Sequence, residues 1–136
     1  MLSGIVLSGG NAAWRGKELP DGVLGGILTA NNIARLDLSG TEMVVLSACQ
    51  SGQGKATSEG LYGLQRAFKK AGVGTMVMAL WSVSDKVATE FMTAFYEQLA
   101  SKQCKWNKRK AFENAKSIIR EKYPDPYYWA AFVMLD

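Results

Sequence analysis

Short apolar runs alternate with longer amphipathic stretches along most of the chain. Met43–Leu46 and Thr75–Trp81 are apolar runs of strand length, typical of strands that are buried on both faces of a sheet. Between them, a helix beginning at Ser58 is predicted to end at Gly72, which suits a left-handed C-cap. The apolar face of this helix consists of Leu61, Leu64, Phe68 and Ala71. The strand–helix–strand order predicts two parallel strands joined by a right-handed crossover.

Two further helices are predicted in the carboxyl-terminal half. Ser84 can cap the first of them, and its apolar stripe consists of Val87, Phe91, Phe95 and Leu99. The second runs from about Lys108 to Lys122 and is ended by the prolines that follow it. Its predicted buried face consists of Ala111, Phe112, Ala115, Ile118 and Ile119. Tyr128–Leu135 then indicates a last strand-like run.

The amino-terminal part has weaker patterns. Gly4–Leu7 is a short strand that joins the main sheet or forms a ribbon beside it. A Gly-rich loop follows, and Thr29 can cap a short helix that carries Ile33 and Leu36. Strands that alternate with helices predict an α/β fold with a largely parallel sheet flanked by helices. We expect one domain over residues 1–136.

The composition is that of a soluble globular chain, with 48% apolar and 21% charged residues among 136. The formal net charge is +4, and its densest part is Lys102–Lys110, which we interpret as a solvated helix entry. Aromatic residues do not interleave along a basic face, so we expect no nucleic-acid partner. No apolar run reaches membrane-spanning length, so no membrane partner is expected either.

The chain contains two cysteines and no histidine. Cys49 follows a predicted buried strand, whereas Cys104 lies in the basic loop. Two cysteines do not make a disulfide framework, so we expect a reducing compartment and a cytoplasmic location.

Cys49 is the candidate nucleophile. It follows the carboxyl end of a central strand, where open α/β sheets place their ligands. A thiolate attacks carbonyls well, and the backbone N–H groups of the glycine loop that follows can stabilise a developing oxyanion. A lone cysteine at the end of a buried strand is also common as a small core residue, and the residues alone favour that interpretation. An anion-binding domain that uses the Gly52–Gly54 loop is a further, weaker hypothesis.

A second loop, Trp81–Asp85, follows the next strand and is expected at the same sheet edge. Asp85 can accept a cationic substrate group or cap the helix that follows, and capping is favoured. Trp81 is expected to line a pocket with part of its ring and to pack in the core with the rest. Trp129 is expected in the core. We expect no cofactor and no metal, and no phosphate-loop spacing occurs.

Several segments together resemble the CHAT domain, a caspase-like and separase-related domain often found behind tetratricopeptide repeats. Their order and spacing carry the resemblance, which runs from about Leu2 to the end. The matching segments are Leu38–Thr41, Val44–Gly52, Gly60–Leu64, Arg66–Phe68, Ala71–Val73, Ala79–Asp85, Phe95–Tyr96 and Trp129–Phe132.

The resemblance implies a three-layer caspase-hemoglobinase fold and a cysteine endopeptidase of clan CD that acts on protein or peptide substrates. Cys49 matches the family nucleophile, and Gln50, Ser51 and Gly52 form the loop beside it. The substrate pocket is formed partly by Trp81, Ser82, Ser84 and Asp85. An acidic residue in that pocket would favour a basic residue before the scissile bond.

In active members a histidine at the end of an earlier strand is the base, and this chain has none. We therefore expect the carboxyl-terminal portion of a CHAT domain that lacks its amino-terminal strands, is inactive alone and follows tetratricopeptide repeats in the parent protein. An unpaired sheet edge would allow a homodimer. The alternative is a non-catalytic pseudo-peptidase that serves as a protein-interaction or regulatory module.

Overall fold

The computed structural model describes residues 4–7, 10–11, 15–18, 25–46 and 58–136, without the side chains of 58–61. The described strands are β1 (Gly4–Val6), β2 (Ile27–Thr29), β3 (Met43–Leu46), β4 (Thr75–Ala79) and β5 (Phe132–Leu135). The described helices are α1 (Ala30–Ile33), α2 (Ser58–Lys70), α3 (Asp85–Ala100), α4 (Lys108–Lys122) and α5 (Pro126–Trp129). They confirm an α/β fold and belong to two compact units, residues 1–42 with 55–74 and residues 43–54 with 75–136.

The first unit contains a two-stranded ribbon. β1 pairs with β2 in antiparallel orientation, from Gly4 opposite Thr29 to Val6 opposite Ile27. The ribbon interpretation of the first strand is therefore confirmed. The sequence did not predict β2, because three residues beside a glycine-rich stretch carry too little periodicity.

The end of α2 depends on a glycine. Gly72 has φ +101°, and a Cβ there would lie 2.9 Å from the Ser39 Cα. The Leu38 N–H donates to the Ala71 carbonyl at 2.7 Å, so the 38–41 connection lies directly against this turn. The left-handed C-cap is confirmed, and the close approach explains why only glycine fits. Thr29 is also confirmed as the N-cap of α1.

The second unit contains the main sheet, in the order β3–β4–β5. β3 and β4 are parallel, as predicted, with Met43 opposite Thr75 and Leu46 opposite Met78. β4 is buried, but the four side chains of β3 are only partly buried, so the prediction of burial on both faces is wrong for β3. β3 lies at one end of the order of described strands, which explains its exposure.

β5 runs antiparallel to β4, with Ala79 opposite Phe132. The prediction of a largely parallel sheet is therefore wrong for the last strand. The physical reason is the connection: α3 carries the chain away from the carboxyl end of β4, and α4 brings it back. A strand that starts from the same edge has to run in the opposite direction.

One face of this sheet packs against α3 and α4. The Phe91 ring lies parallel to Phe132, with centroids 3.9 Å apart, and meets the edge of Phe112 at 5.6 Å. The predicted α3 stripe is buried in this core, as are four of the five predicted α4 positions. The exception is Ile118, which is 42% exposed. It lies one position before Ile119, which turns it away from the core face.

Cys104 also belongs to this core. The residue is only 2% exposed, although Lys102 and Lys105 lie close to it in sequence. Its Sγ accepts a hydrogen bond from the Asn114 Nδ2 at 3.5 Å. The basic loop is therefore anchored by a buried thiol.

An ion pair links α3 to α4 at the surface. Lys122 Nζ donates to Glu90 Oε1 at 2.9 Å. This hydrogen bond holds the pKa of the Glu90 carboxyl below its ordinary value of 4.5. The same bond raises the pKa of the Lys122 ammonium above its ordinary value of 10.5.

The substitution Glu90→Gln should lower stability in a pH-dependent way. A lowered carboxyl pKa stabilises the fold above pH 4.5, and that stabilisation is lost as the pH falls through the folded-state pKa. The raised ammonium pKa of Lys122 stabilises the fold below pH 10.5, and that stabilisation is lost as the pH rises through the folded-state pKa. In urea unfolding, the free energy of unfolding of the variant should differ most from that of the wild type between pH 4.5 and pH 10.5.

Glu97→Gln, on the exposed surface of the same helix, is the control. A Glu90→Gln difference that persisted unchanged well below pH 4.5 would contradict the assignment.

Candidate functional site

The loop between β4 and α3 carries the predicted substrate-binding residues. Ser84 has extended backbone angles, and its side chain accepts a hydrogen bond from the Val87 N–H at 3.3 Å. Ser84 is therefore the N-cap, as predicted. Asp85 is the first residue of the helix, so the prediction that it caps α3 is wrong. The N-cap position is held by the residue before the first helical one, which in α3 is Ser84.

Asp85 is exposed at the start of α3. Within the described ranges no ion pair to its carboxylate is formed. A negative charge in the first turn of a helix interacts favourably with the helix dipole, and the exposed side chain of Asp85 is accessible to a cation. In the described part of the chain, no group of histidine, cysteine, aspartate and glutamate side chains is arranged to hold a metal ion.

Trp81 is exposed, with 37% of its surface accessible to solvent. Its Nε1–H donates to the Tyr127 carbonyl at 2.8 Å, and the two rings are inclined at 32° with centroids 6.5 Å apart. Trp81 packs against Tyr127 but is not among the residues of the core, and its role in lining a pocket stays a prediction. Because the indole N–H is already satisfied within the protein, the ring is held in one orientation.

Tyr127 also holds this loop through its side chain. Its hydroxyl donates to the Ser82 carbonyl at 2.6 Å. The Leu80 N–H, just after β4, donates to the Ala131 carbonyl at 2.8 Å. The loop is therefore fixed by α5 on one side and by the Ser84 cap on the other.

The sequence analysis missed Tyr127, since the run from Tyr128 was assigned to a strand. The structure instead has α5 (Pro126–Trp129) before β5. The signal was present: Asp125 caps this helix by accepting from the Tyr127 N–H at 2.9 Å, and Pro126 occupies its first turn. An aspartate followed by proline is a typical helix start.

Trp129 is half-buried, so its predicted core position is only partly correct. It packs against the core, but its Nε1–H donates to the Pro124 carbonyl at 3.2 Å. Its outer face lies under the Arg120 guanidinium, 5.2 Å from the ring centroid. The Trp129 indole therefore packs against the edge of the core and also makes a cation–π contact with Arg120.

Cys49, Gln50, Ser51 and Gly52 lie outside the described residues. The structure brings the other predicted residues, Trp81 to Asp85, together on one loop. This loop follows β4, and β3 ends beside it, since Leu46 is opposite Met78 in a parallel pair. β3 and β4 thus end at the same edge of the sheet.

Tyr127→Phe should loosen the loop without unfolding the protein. The substitution removes only the hydroxyl that holds the Ser82 carbonyl, and one such hydrogen bond contributes about 1 kcal/mol. Amide exchange at Trp81 to Ser84 should accelerate by about fivefold, the equivalent of that energy. Tyr128→Phe is the matched control, and equal acceleration in both variants would contradict the role of Tyr127.

In the part of the chain that the structure describes, no helix is both long and apolar enough to cross a bilayer. No solved structure matches the chain significantly. Tetratricopeptide repeat protein 28 of Mus musculus is 33% identical over 114 residues, and that of Homo sapiens is 29% identical over 111 residues. Each alignment covers 80% of this chain and 4% of the relative, so the chain spans a small fraction of these relatives. The CHAT domain matches residues 1–136, and the chain therefore belongs to the CHAT domain family.

Proposed function

We propose that this chain is part of a caspase-like cysteine endopeptidase that cuts protein substrates, with Cys49 as the nucleophile. The observation that carries the proposal is the parallel pairing of β3 with β4. Both strands end at one edge of the sheet, and they are followed in sequence by Cys49 and by the Trp81–Asp85 loop. Parallel sheets bind their ligands at this edge.

Covalent reach limits how far the nucleophile can be from that loop. Cys49 follows Leu46, the last residue of β3, by three residues, which span at most about 11 Å when fully extended. Leu46 pairs with Met78, and neighbouring strands are about 4.8 Å apart. A substrate chain that contacts Trp81 and Asp85 can therefore present a peptide bond to Cys49.

The proposed reaction proceeds through an acyl-enzyme. In this proposal the Cys49 thiolate attacks the carbonyl carbon, and backbone N–H groups of Cys49, Gln50, Ser51 and Gly52 would hold the oxyanion. The base takes the thiol proton and returns it to the leaving amine, and water then hydrolyses the thioester. The base is a histidine outside these 136 residues, since the chain contains none.

Family membership supports this proposal, because CHAT domains are peptidase-like. The two named relatives are tetratricopeptide repeat proteins, and we propose that such repeats precede this domain in its parent protein and present the substrate. We also propose that the sheet and its helices are part of the three-layer arrangement of caspase-like folds.

A pseudo-peptidase is the second candidate. The observation that favours it is the lack of histidine throughout the chain. In that case the same loop would bind a protein segment without cutting it. The reactivity of Cys49 distinguishes the two functions.

The pH dependence of Cys49 alkylation is the experiment that tests the proposal. In this chain the midpoint should lie near the free-thiol pKa of about 8.5, and peptides should not be turned over. In the parent protein with its histidine, the midpoint should fall by at least about one pH unit, and Cys49→Ala should abolish turnover.

Peptide mass mapping separates the two thiols in this experiment, and alkylation in denaturant gives the reference rate for each. Cys104 should react slowly in the native protein because it is buried. Turnover by the 136-residue chain would refute the assigned base. An ordinary midpoint in both proteins would favour the pseudo-peptidase.

The exposed carboxylate of Asp85 is proposed to select a basic residue before the scissile bond. In the parent protein, Asp85→Asn should lower kcat/KM for Arg and Lys substrates by about tenfold, as expected for a lost charged hydrogen bond. Neutral substrates should be little affected. Glu97→Gln, on the same helix, is the control. An unchanged ratio between basic and neutral substrates would contradict this role.

A further inference from the structure

The connection between α3 and α4 contains two adjacent residues with left-handed backbone angles. Lys105 has φ 46° and Trp106 has φ 63°. This conformation is costly for residues other than glycine, asparagine and aspartate, most of all for bulky ones. An asparagine at position 106 would adopt it more readily, so folding alone does not account for the tryptophan.

This connection, residues 101–107, is held firmly in place, and we call it the Trp106 loop. The Lys105 N–H donates to the Ser101 carbonyl at 3.0 Å, and the Asn107 N–H donates to the Cys104 carbonyl at 2.8 Å. Cys104 is buried beneath it, and Asn107 caps α4. The fold therefore presents Trp106 in a fixed position.

Trp106 itself is not used by the core. It is 71% exposed, the highest exposure among the large apolar side chains in the described part of the chain. Trp81 and Trp129 each satisfy their N–H within the protein and are more buried. An exposed, rigidly presented indole is the residue type that most often anchors a protein interface.

The sequence on both sides of this indole is basic. The stretch from Ser101 to Phe112 contains no acidic residue, and its cations are Lys102, Lys105, Lys108, Arg109 and Lys110. Arg109 is paired with Asp136, and Lys110 Nζ donates to the Gln103 carbonyl at 3.1 Å. Lys102 and Lys105 are exposed beside Trp106.

We propose that the Trp106 loop is a docking surface for an acidic segment of a partner protein. An apolar side chain of that segment packs on the Trp106 indole, and its carboxylates lie against Lys102 and Lys105. A single aromatic residue is too few for single-stranded nucleic acid, which stacks successive bases. It is also too few for a membrane surface, which requires a broad apolar face. The inference does not depend on Cys49.

The test is fluorescence anisotropy with a short labelled peptide of alternating Glu and Phe residues. The full 136-residue chain should bind it saturably, and the affinity should fall between about 0.05 M and about 0.3 M salt because screening weakens the charge contacts. Trp106→Asn should weaken binding by about tenfold, as expected for an interface anchor. Its melting temperature should not fall, since asparagine tolerates the left-handed conformation. The double substitution Lys102→Glu and Lys105→Glu should abolish binding.

The double substitution Lys17→Glu and Lys86→Glu, at exposed positions outside the Trp106 loop, changes the net charge equally; it is the matched control and should leave the affinity unchanged. A peptide with Ser in place of Phe should bind more weakly than the original. Three results would each overturn the proposal: no saturable binding, equal binding by Trp106→Asn, or tighter Trp106-dependent binding to single-stranded DNA or phosphatidylserine vesicles.

Discussion

The parallel pairing of β3 with β4 is the constraint on which the candidate site depends. Parallel strands cannot be joined by a tight turn, so the chain between them includes the helix α2. Because both strands run in the same direction, they end at the same edge of the sheet. The chain therefore leaves β3 and β4 at the same edge, although the two strand ends are far apart in sequence. The chemistry proposed for the chain follows from this topology and does not require a contiguous motif.

The packing behind β4 gives the second loop its shape. Phe91 of α3 lies flat against Phe132 of β5, so the helix and the last strand are fixed to one another. α3 begins at the Ser84 cap, and α5 precedes β5. The loop between Trp81 and Ser84 is therefore held at one end by a helix that the core fixes. Tyr127, at the start of α5, holds the middle of the loop through the Ser82 carbonyl.

Long periodic patterns made α3 and α4 predictable, whereas short or irregular segments did not. The helix over Lys108–Lys122 was predicted with nearly the bounds that the structure has, because its apolar face is periodic and prolines follow it. The pairing of β3 with β4 was also predictable, since a strand–helix–strand order leaves few alternatives. The antiparallel direction of β5 was not predictable, because it depends on how many helices connect β4 to β5. Tyr127 and Cys104 were missed for a related reason: a four-residue helix and a buried thiol in a basic loop leave no periodic signal.

The lack of histidine decides how much chemistry this chain can perform. A cation 4 Å from a thiolate contributes about 1 kcal/mol in water and about 4 kcal/mol near a protein surface, enough to lower a thiol pKa. A helix N-terminus likewise stabilises a thiolate only when the sulfur lies within about one turn of the helix end. Neither source can return a proton to the leaving amine. That step requires a group whose pKa lies near neutrality, and histidine is the side chain that has it without perturbation. In the proposed reaction Cys49 is therefore the nucleophile, and the proton carrier is the histidine that we propose outside these 136 residues.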